Sequence, residues 1–325
     1  MRALITGAAG QDGTILSTML SRDGIAVTGV IKPGSDAGHL RRYAPGVQVI
    51  ECDLADADAL QRCVADLCPD EVYNLGGFTA PGESWQHQDE VRRINVDAVA
   101  ALLMGLRQGN PSGRFFQASS ASIFEGVDRA PQTETFEPQP KSPYAVSKAE
   151  AMQLVSQARQ DGLFAVSGIL YNHESPLRGE NFVTRRVSMG VARIAAGLQD
   201  RLELGDIEVA RDWGWAPDYV RAMRLMLAAD EPKDYLLATG ISHRLSFFIK
   251  QAFAAVGITD WSDLVVSTTD RNRPVDTNLL VGDSRAAYVD LGWRHTVAFD
   301  DMAQAMVAHD QALLRDPEAV WPCPA

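Results

Sequence analysis

Residues 1–13, MRALITGAAGQDG, restrict the fold of this chain more than any other stretch. A short apolar run, Arg2-Ala3-Leu4-Ile5-Thr6, leads into Gly7-Ala8-Ala9-Gly10-Gln11-Asp12-Gly13. An apolar helical run, Thr14-Ile15-Leu16-Ser17-Thr18-Met19-Leu20, follows without a break. Strand, glycine turn and helix are the setting in which a GxxGxxG spacing carries meaning. Gly7 permits the tight turn, Gly10 lets the backbone approach a pyrophosphate, and Gly13 lets the helix pack on the strand. The helix start then offers free N–H groups and the positive end of its dipole to phosphates. A glycine turn alone is common; one placed directly after the first strand predicts a dinucleotide site.

A length of 325 residues suffices for one large domain or two modest ones. With 46% hydrophobic and 22% charged residues the composition is globular. The net charge of −12, with no basic stripe, argues against nucleic acid or an anionic membrane as partner. An anionic nucleotide would therefore need local Arg and Lys. No apolar run approaches the roughly 18 residues of a membrane span, and no charged-then-apolar leader precedes the first strand. Cys52, Cys63, Cys68 and Cys323 lack the spacing and His partners of a metal site, so no metal is expected. They read as reduced thiols of a cytoplasmic protein.

Strand signals alternate with amphipathic helices. Strands are expected at 2–6, 25–31, 47–52, 71–75, 114–118 and 165–170, with helices at 57–68, 95–108 and 144–160. Such alternation implies an α/β fold: a Rossmann-like, doubly wound parallel sheet covered on both faces. Ligands in such sheets lie at the carboxyl ends of the strands. The informative residues cluster there: Gly7, Gly10, Gln11, Asp12 and Gly13, then Lys32, Asp53-Leu54, Leu75-Gly76-Gly77, and Ser119 to Ser122. Beyond 171 the loops lengthen and gain Arg, Trp and Pro. The expected division is a cofactor-binding domain over 1–171, with parts of 212–240 returning to it. A smaller, interleaved substrate lobe covers mainly 172–325.

The end of the second strand selects the dinucleotide. An acidic residue there would bind the ribose hydroxyls of NAD and repel a 2′-phosphate. This chain has Ile31-Lys32-Pro33-Gly34-Ser35, with Arg41 and Arg42 downstream, which favours NADP; nearby Asp36 keeps NAD open. Asp53 and Leu54 are placed to touch adenine, although Asp53 or Asp56 could equally cap the next helix.

Tyr144-Ala145-Val146-Ser147-Lys148 puts a phenol and an ammonium one helical turn apart on one face. A phenol has a pKa near ~10, and a neighbouring cation favours its phenolate. Pro143 sets the Tyr in the first helical turn, facing the strand ends. Ser120, ending the preceding strand, can hydrogen-bond the same substrate oxygen. Together these groups manage a proton while a nicotinamide takes a hydride.

With these motifs in place, the chain resembles an extended short-chain dehydrogenase/reductase, specifically the GDP-mannose 4,6-dehydratase family. The likeness rests on the 7–13 turn, Glu71-Val72-Tyr73-Asn74-Leu75, Gln117-Ala118-Ser119 and Ser142-Pro143-Tyr144. The longest match is Gly168-Ile169-Leu170-Tyr171-Asn172-His173-Glu174-Ser175-Pro176-Leu177-Arg178-Gly179-Glu180-Asn181-Phe182-Val183-Thr184-Arg185-Arg186. Arg211-Asp212-Trp213-Gly214 and Leu291-Gly292-Trp293 add to it. The resemblance implies NADP, a GDP-hexose substrate and oxidation at sugar C4. It makes Tyr144 the base, Lys148 its partner and Ser120 the stand-in for a catalytic Thr. His173 and Arg178 fall on cofactor positions. Thr79, Ser84, Asn172, Glu180, Asn181, Val183, Arg185, Arg211 and Arg273 fall in segments lining the sugar-nucleotide site. Arginine suits a diphosphate because its fork binds two oxygens at once. Relatives pair through two long helices beside the sheet, which implies a homodimer or homotetramer.

The departures matter as much. The family's dehydration step needs a carboxyl two residues after the catalytic hydroxyl, and here that position is Ser122. A serine without an adjacent base cannot take a proton alpha to a ketone at a useful rate. Glu125 is near in sequence but would need a rotation to reach. Gly76-Gly77-Phe78-Thr79 and Arg273-Pro274-Val275-Asp276-Thr277-Asn278 also differ from the family pattern, and the arginine-rich loop after the second strand is shorter. Three readings stay open, the first of them the headline because the match through the sugar lobe is long and specific. One is a GDP-mannose 4,6-dehydratase using another group. The second is a GDP-sugar 4-epimerase or 4-ketoreductase on the same frame. The third is a nucleotide-sugar binding protein with weakened catalysis, against which Tyr144 and Lys148 argue.

Overall fold

The apolar runs assemble as expected, into a seven-stranded sheet in which each strand pairing is parallel. The computed structural model describes residues 1–267 and 279–323. Its strands are β1 (Arg2–Thr6), β2 (Ala26–Ile31), β3 (Gln48–Glu51), β4 (Glu71–Asn74), β5 (Arg114–Ser120) and β6 (Phe164–Leu170). They continue with β7 (Asn172–Glu174), β8 (Leu202–Leu204), β9 (Ala210–Trp215), β10 (Tyr235–Leu237), β11 (Ser242–Arg244) and β12 (Val265–Ser267). The helices are α1 (Gln11–Arg22), α2 (Gly38–Tyr43), α3 (Ala57–Leu67), α4 (Gln88–Arg92), α5 (Ala98–Gly109) and α6 (Pro143–Gln160). After them come α7 (Val183–Ala195), α8 (Ala216–Ala228), α9 (Leu245–Ala254), α10 (Arg285–Leu291) and α11 (Phe299–Arg315).

The large sheet runs β10-β6-β5-β4-β1-β2-β3, so its order reverses between β1 and β4. That reversal is the switch point at which open α/β sheets bind ligands. Strand residues alternate between two apolar layers. Ala3, Ile5, Tyr73, Phe116 and Val166 join the layer containing α1 and α8. Leu4, Val72, Phe115 and Ala165 face the layer of α3, α5 and α6. Both faces are thus covered, which is why the strands read as nearly continuous apolar runs.

Two small sheets lie beyond: β11-β9-β7 and β12-β8. Asp212 of β9 welds the first to the loops after β10. It accepts from Thr239 Oγ1 at 2.6 Å and from the N–H groups of Thr239, Gly240 and Gly282. Burial pushes the Asp212 carboxyl up, and these donors pull against it.

The helix expected at 95–108 starts earlier and is broken. α4 passes through a π-helical turn, Arg93–Asp97, before α5 begins. Among the described residues no helix is long and apolar enough to cross a membrane. No group of three metal-ligating side chains occurs among them.

Candidate active site

The glycine turn has the geometry that its spacing requires. Gly7 adopts φ +65, and a Cβ on it would stand 2.7 Å from Gly76 N. A Cβ on Gly13 would stand 2.3 Å from Gly7 O, so α1 rests directly on the turn. No side chain caps the start of α1 at Gly10, which leaves its N-terminal face to a ligand. Leu54 packs over Gly76, where an added Cβ would meet it at 2.6 Å. Asp53 Oδ1 accepts from Ala55 N at 2.9 Å, and Asp56 caps α3 through Ala59 N at 3.0 Å. Lys32 is exposed.

A buried polar belt crosses the strand ends; of its members the sequence assigns roles to Gly76 and Lys148, carries Asn74 and Gln117 only inside family motifs, and gives Thr6 and Asn95 no role. Thr6 Oγ1 accepts from Gly76 N at 3.0 Å and donates to Asn74 Oδ1 at 2.5 Å. Asn74 Nδ2 donates to Gln117 Oε1 at 2.8 Å, and Gln117 Nε2 donates to Ala118 O at 2.9 Å. Lys148 Nζ donates to that same carbonyl, also at 2.9 Å. A second brace comes from Asn95 in the π-helical turn, which is 3% exposed. Its Oδ1 accepts from Phe78 N at 2.8 Å and its Nδ2 donates to Ser147 Oγ at 3.0 Å. Asn95 thus ties the loop after β4 to the helix residue beside Lys148. Polar residues inside otherwise apolar strands, Asn74 and Gln117, were the available signal.

Tyr144 and Lys148 share the buried face of α6, with Lys148 Nζ 5.8 Å from the phenol ring centre. Ser142 caps the helix through Ala145 N at 3.2 Å, and Pro143 opens it. Burial holds the Tyr144 phenol above its ordinary value, opposed by a hydrogen bond with Ser120 and by the Arg178 charge. The sequence pattern assigns that work to Lys148. Here the Lys148 ammonium is engaged with Ala118 O, and burial pulls it down to about 8.

Glu125 is part of this neighbourhood but is already committed. Its Oε2 accepts from Ser142 N at 2.9 Å and Lys141 N at 3.3 Å, and its Oε1 accepts from Ser142 Oγ at 3.1 Å. Its charge adds to the rise of the Tyr144 phenol. Ser122, in the short 3-10 turn after β5, donates its N–H to Ser120 Oγ at 3.2 Å.

Gln11, Asp12 and His173 form one unit. His173 Nε2 lies 2.8 Å from Asp12 Oδ2, and Nδ1 lies 2.7 Å from Tyr171 O. Both partners only accept, so an imidazolium with two N–H groups satisfies them. Burial pulls the imidazole down, but the charge and hydrogen bond of Asp12 outweigh it and raise the pKa. Burial likewise pushes Asp12 up, and His173 brings it below its ordinary value. The ring stacks on Tyr219 at 4.6 Å. Gln11 Nε2 donates to His173 O at 3.1 Å, and Gln11 Oε1 accepts from Ser175 Oγ at 2.9 Å.

The residues expected at the sugar nucleotide lie in different settings. Arg185 is buried between α7 and α11, ion-paired to Asp310 at 2.8 Å, and donates to Pro176 O at 2.6 Å. In this structure its guanidinium is engaged within the protein by these two contacts. The exposed neighbour Arg186 donates to Glu203 O at 3.0 Å. Ser84 is fully buried and its hydroxyl closes its own turn on Pro81 O at 2.6 Å. Arg42, expected near a 2′-phosphate, is held by Glu318 at 2.6 Å and Pro317 O at 3.1 Å. Thr79, Asn172, Glu180 and Asn181 are exposed, and Val183 begins α7 half-buried. Arg211 donates to its own Ala210 O at 2.8 Å; burial pulls its guanidinium down and Glu125 raises it. Arg273 lies outside the described residues.

The family model described as GDP-mannose 4,6 dehydratase matches residues 4–306. GDP-mannose 4,6 dehydratase 1 of Arabidopsis thaliana is 39% identical, covering 96% of this chain and 90% of that protein. Among solved structures, UDP-glucose 4-epimerase of Thermotoga maritima, determined with UDP-glucose, superposes with a TM-score of 0.85. Identity is 21%, with 97% of this chain and 100% of that one covered. A dTDP-glucose 4,6-dehydratase of Streptomyces venezuelae, with NAD and TYD bound, gives a TM-score of 0.83 at 22% identity. It covers 98% of this chain and 100% of that one.

Proposed function

We propose a function from one premise: this chain belongs to the GDP-mannose 4,6-dehydratase family. It is an enzyme of the nucleotide-sugar dehydratase and epimerase type. Our reading is that it acts at C4 of a GDP-hexose and stops short of eliminating water. A dinucleotide fits the described residues. Gly7, Gly10 and Gly13 would cradle its pyrophosphate, Asp53 and Leu54 would meet adenine, and Lys148 would hold the nicotinamide ribose. Lys32 and the absence of an acid at the end of β2 support NADP over NAD. When bound, the nicotinamide supplies the hydride acceptor. Tyr144 takes the C4 hydroxyl proton while the Ser120 hydroxyl, close enough to the phenol to lower its pKa, turns its single O–H to the same substrate oxygen. Thr79, Asn172, Glu180, Asn181, Val183, Arg211 and Arg273 remain the proposed sugar-nucleotide contacts. A homodimer or homotetramer remains the proposed assembly.

One observation carries the last part of the reading. Ser122 stands where dehydration requires a carboxyl, and both oxygens of Glu125, the nearby acid, are bound at the start of α6. Full dehydration is the second reading, favoured by the name of the 39%-identical relative. The test is GDP-mannose turned over in deuterated water, with C5 followed by NMR. We expect oxidation or inversion at C4 without exchange at C5. Deuterium at C5 together with loss of water would establish dehydration instead.

A further inference from the structure

The long motif after β6 contains a buried acid that the cofactor and substrate assignments leave unused. Glu174, the last residue of β7, is 2% exposed. A carboxylate so buried needs a counter-charge and donors. It has one of each: Thr184 Oγ1, in the first turn of α7, donates to its Oε2 at 2.6 Å, and Arg178 supplies the charge, its Nε 3.1 Å from that oxygen as an ion pair without a hydrogen bond. The other constraint on Arg178 is aromatic, since its guanidinium carbon sits 3.5 Å from the centre of the Phe182 ring.

Two arginines separated by seven positions show why this arrangement is unlike an ordinary core pair. Arg185 has a 7% exposed side chain and is closed off by Asp310 and Pro176 O. Arg178 has a 17% exposed side chain, faces the Glu174 charge on one side and the Phe182 ring on one face, and lies close enough to Asp12, His173 and Tyr144 for its charge to act on all three. A long flexible side chain with several rotamers is thereby constrained beside Asp12, His173 and Tyr144 before any ligand arrives, which lowers the ordering cost of binding.

We infer that Glu174 and Thr184 are positioning residues that act through Arg178, holding its guanidinium ready for the anionic or carbonyl groups of the dinucleotide. The inference rests on the cofactor reading above. The effect travels by two contacts, hydroxyl to carboxylate and carboxylate to guanidinium, with no contact between Glu174 and the ligand.

The experiment is a double-mutant cycle on the full chain, titrating NADPH and NADH by fluorescence and recording Tm for every variant. Wild type must bind one of them; binding of neither overturns the cofactor reading itself. Glu174→Gln is expected to weaken binding about tenfold, and Arg178→Ala by a similar factor. The double variant is expected to lose no more than Arg178→Ala alone, because one route carries both effects. Thr184→Val should reproduce part of the loss, and Thr184→Ser should restore it. A Glu174→Gln protein that binds like wild type, or a double variant whose losses multiply, overturns the inference. So does a fall in Tm for Thr184→Val with dinucleotide affinity intact, which marks a purely structural role.

Discussion

The carboxyl edge of the large sheet and the lobe built on β7, β9 and α7 use polar residues in opposite ways. At the sheet edge, Thr6, Asn74 and Gln117 pass hydrogen bonds sideways until they reach the carbonyl that holds Lys148. Their effect is to place the Lys148 ammonium. In the lobe, Arg185 pairs with Asp310 and Arg186 donates to a backbone carbonyl. Their effect is to hold elements together. An arginine-rich motif is therefore a poor guide to an anion site until each guanidinium's neighbours are known. A glycine turn after a first strand is a good guide, because its geometry is set within a few residues.

The comparison breaks first at Tyr144. If the sheet edge is the reactive half, Tyr144→Phe lowers turnover roughly a thousandfold while NADPH affinity stays near wild type. Steady-state kinetics and a fluorescence titration check both halves of that statement. A variant with full activity would move the chemistry elsewhere.

Next comes the buried pair of the lobe. Arg185→Met leaves Asp310 without its partner and should destabilise the fold by about 3 kcal/mol in urea denaturation. Adding Asp310→Leu should recover most of that loss. Unchanged stability with weakened binding of a GDP-sugar would instead return Arg185 to the role that its sequence position implied.

The smallest effect is a pH slope. Burial and the nearby Arg185, His39 and Arg42 pull the His309 imidazole down to about 4, while burial pushes the adjacent Asp310 up to about 6, against the Arg185 charge. A depressed imidazole is neutral in the folded chain but takes a proton when unfolded. Its contribution is therefore present above about 6.5 and lost as pH falls toward 4. A raised carboxyl does the reverse, adding stability as pH falls from above 6 toward the ordinary carboxylate value. The two oppose each other between pH 4 and 6. His309→Gln removes only the losing member, so the variant should lose less stability than wild type between pH 7 and pH 5. The difference is on the order of 1 kcal/mol. Denaturation curves at the two pH values measure it, and parallel slopes would place His309 outside the coupled cluster.

What the sequence made legible follows the same divide. The parallel strands, the turn at Gly7 and the shared face of Tyr144 and Lys148 were readable because period, glycine spacing and helical register are local. The interruption before α5 was not, since a π-helical turn leaves no distinct spacing. It is visible only through Asn95, whose amide meets partners from two other elements. The fate of Arg185 was not readable either. Its counter-charge, Asp310, lies on α11, far along the chain, and no local rule pairs them. Glu125 is the intermediate case: its closeness to the site was legible, its capture by Ser142 was not.

The seventh strand has a consequence for how the molecule can be cut. β10 joins the sheet beside β6, secured by Arg159 gripping both oxygens of Asp234 at 2.8 and 2.9 Å, with Ser167 N donating to that carboxylate at 2.6 Å. A fragment ending at residue 171 would carry six strands and a bare margin along β6, its amides open to the next chain it meets. The emerging polypeptide cannot seal that margin until Asp234 and β10 have left the ribosome. Any transplant of the dinucleotide half into another protein must therefore bring α8 and β10 with it, or expect precipitation in place of a module.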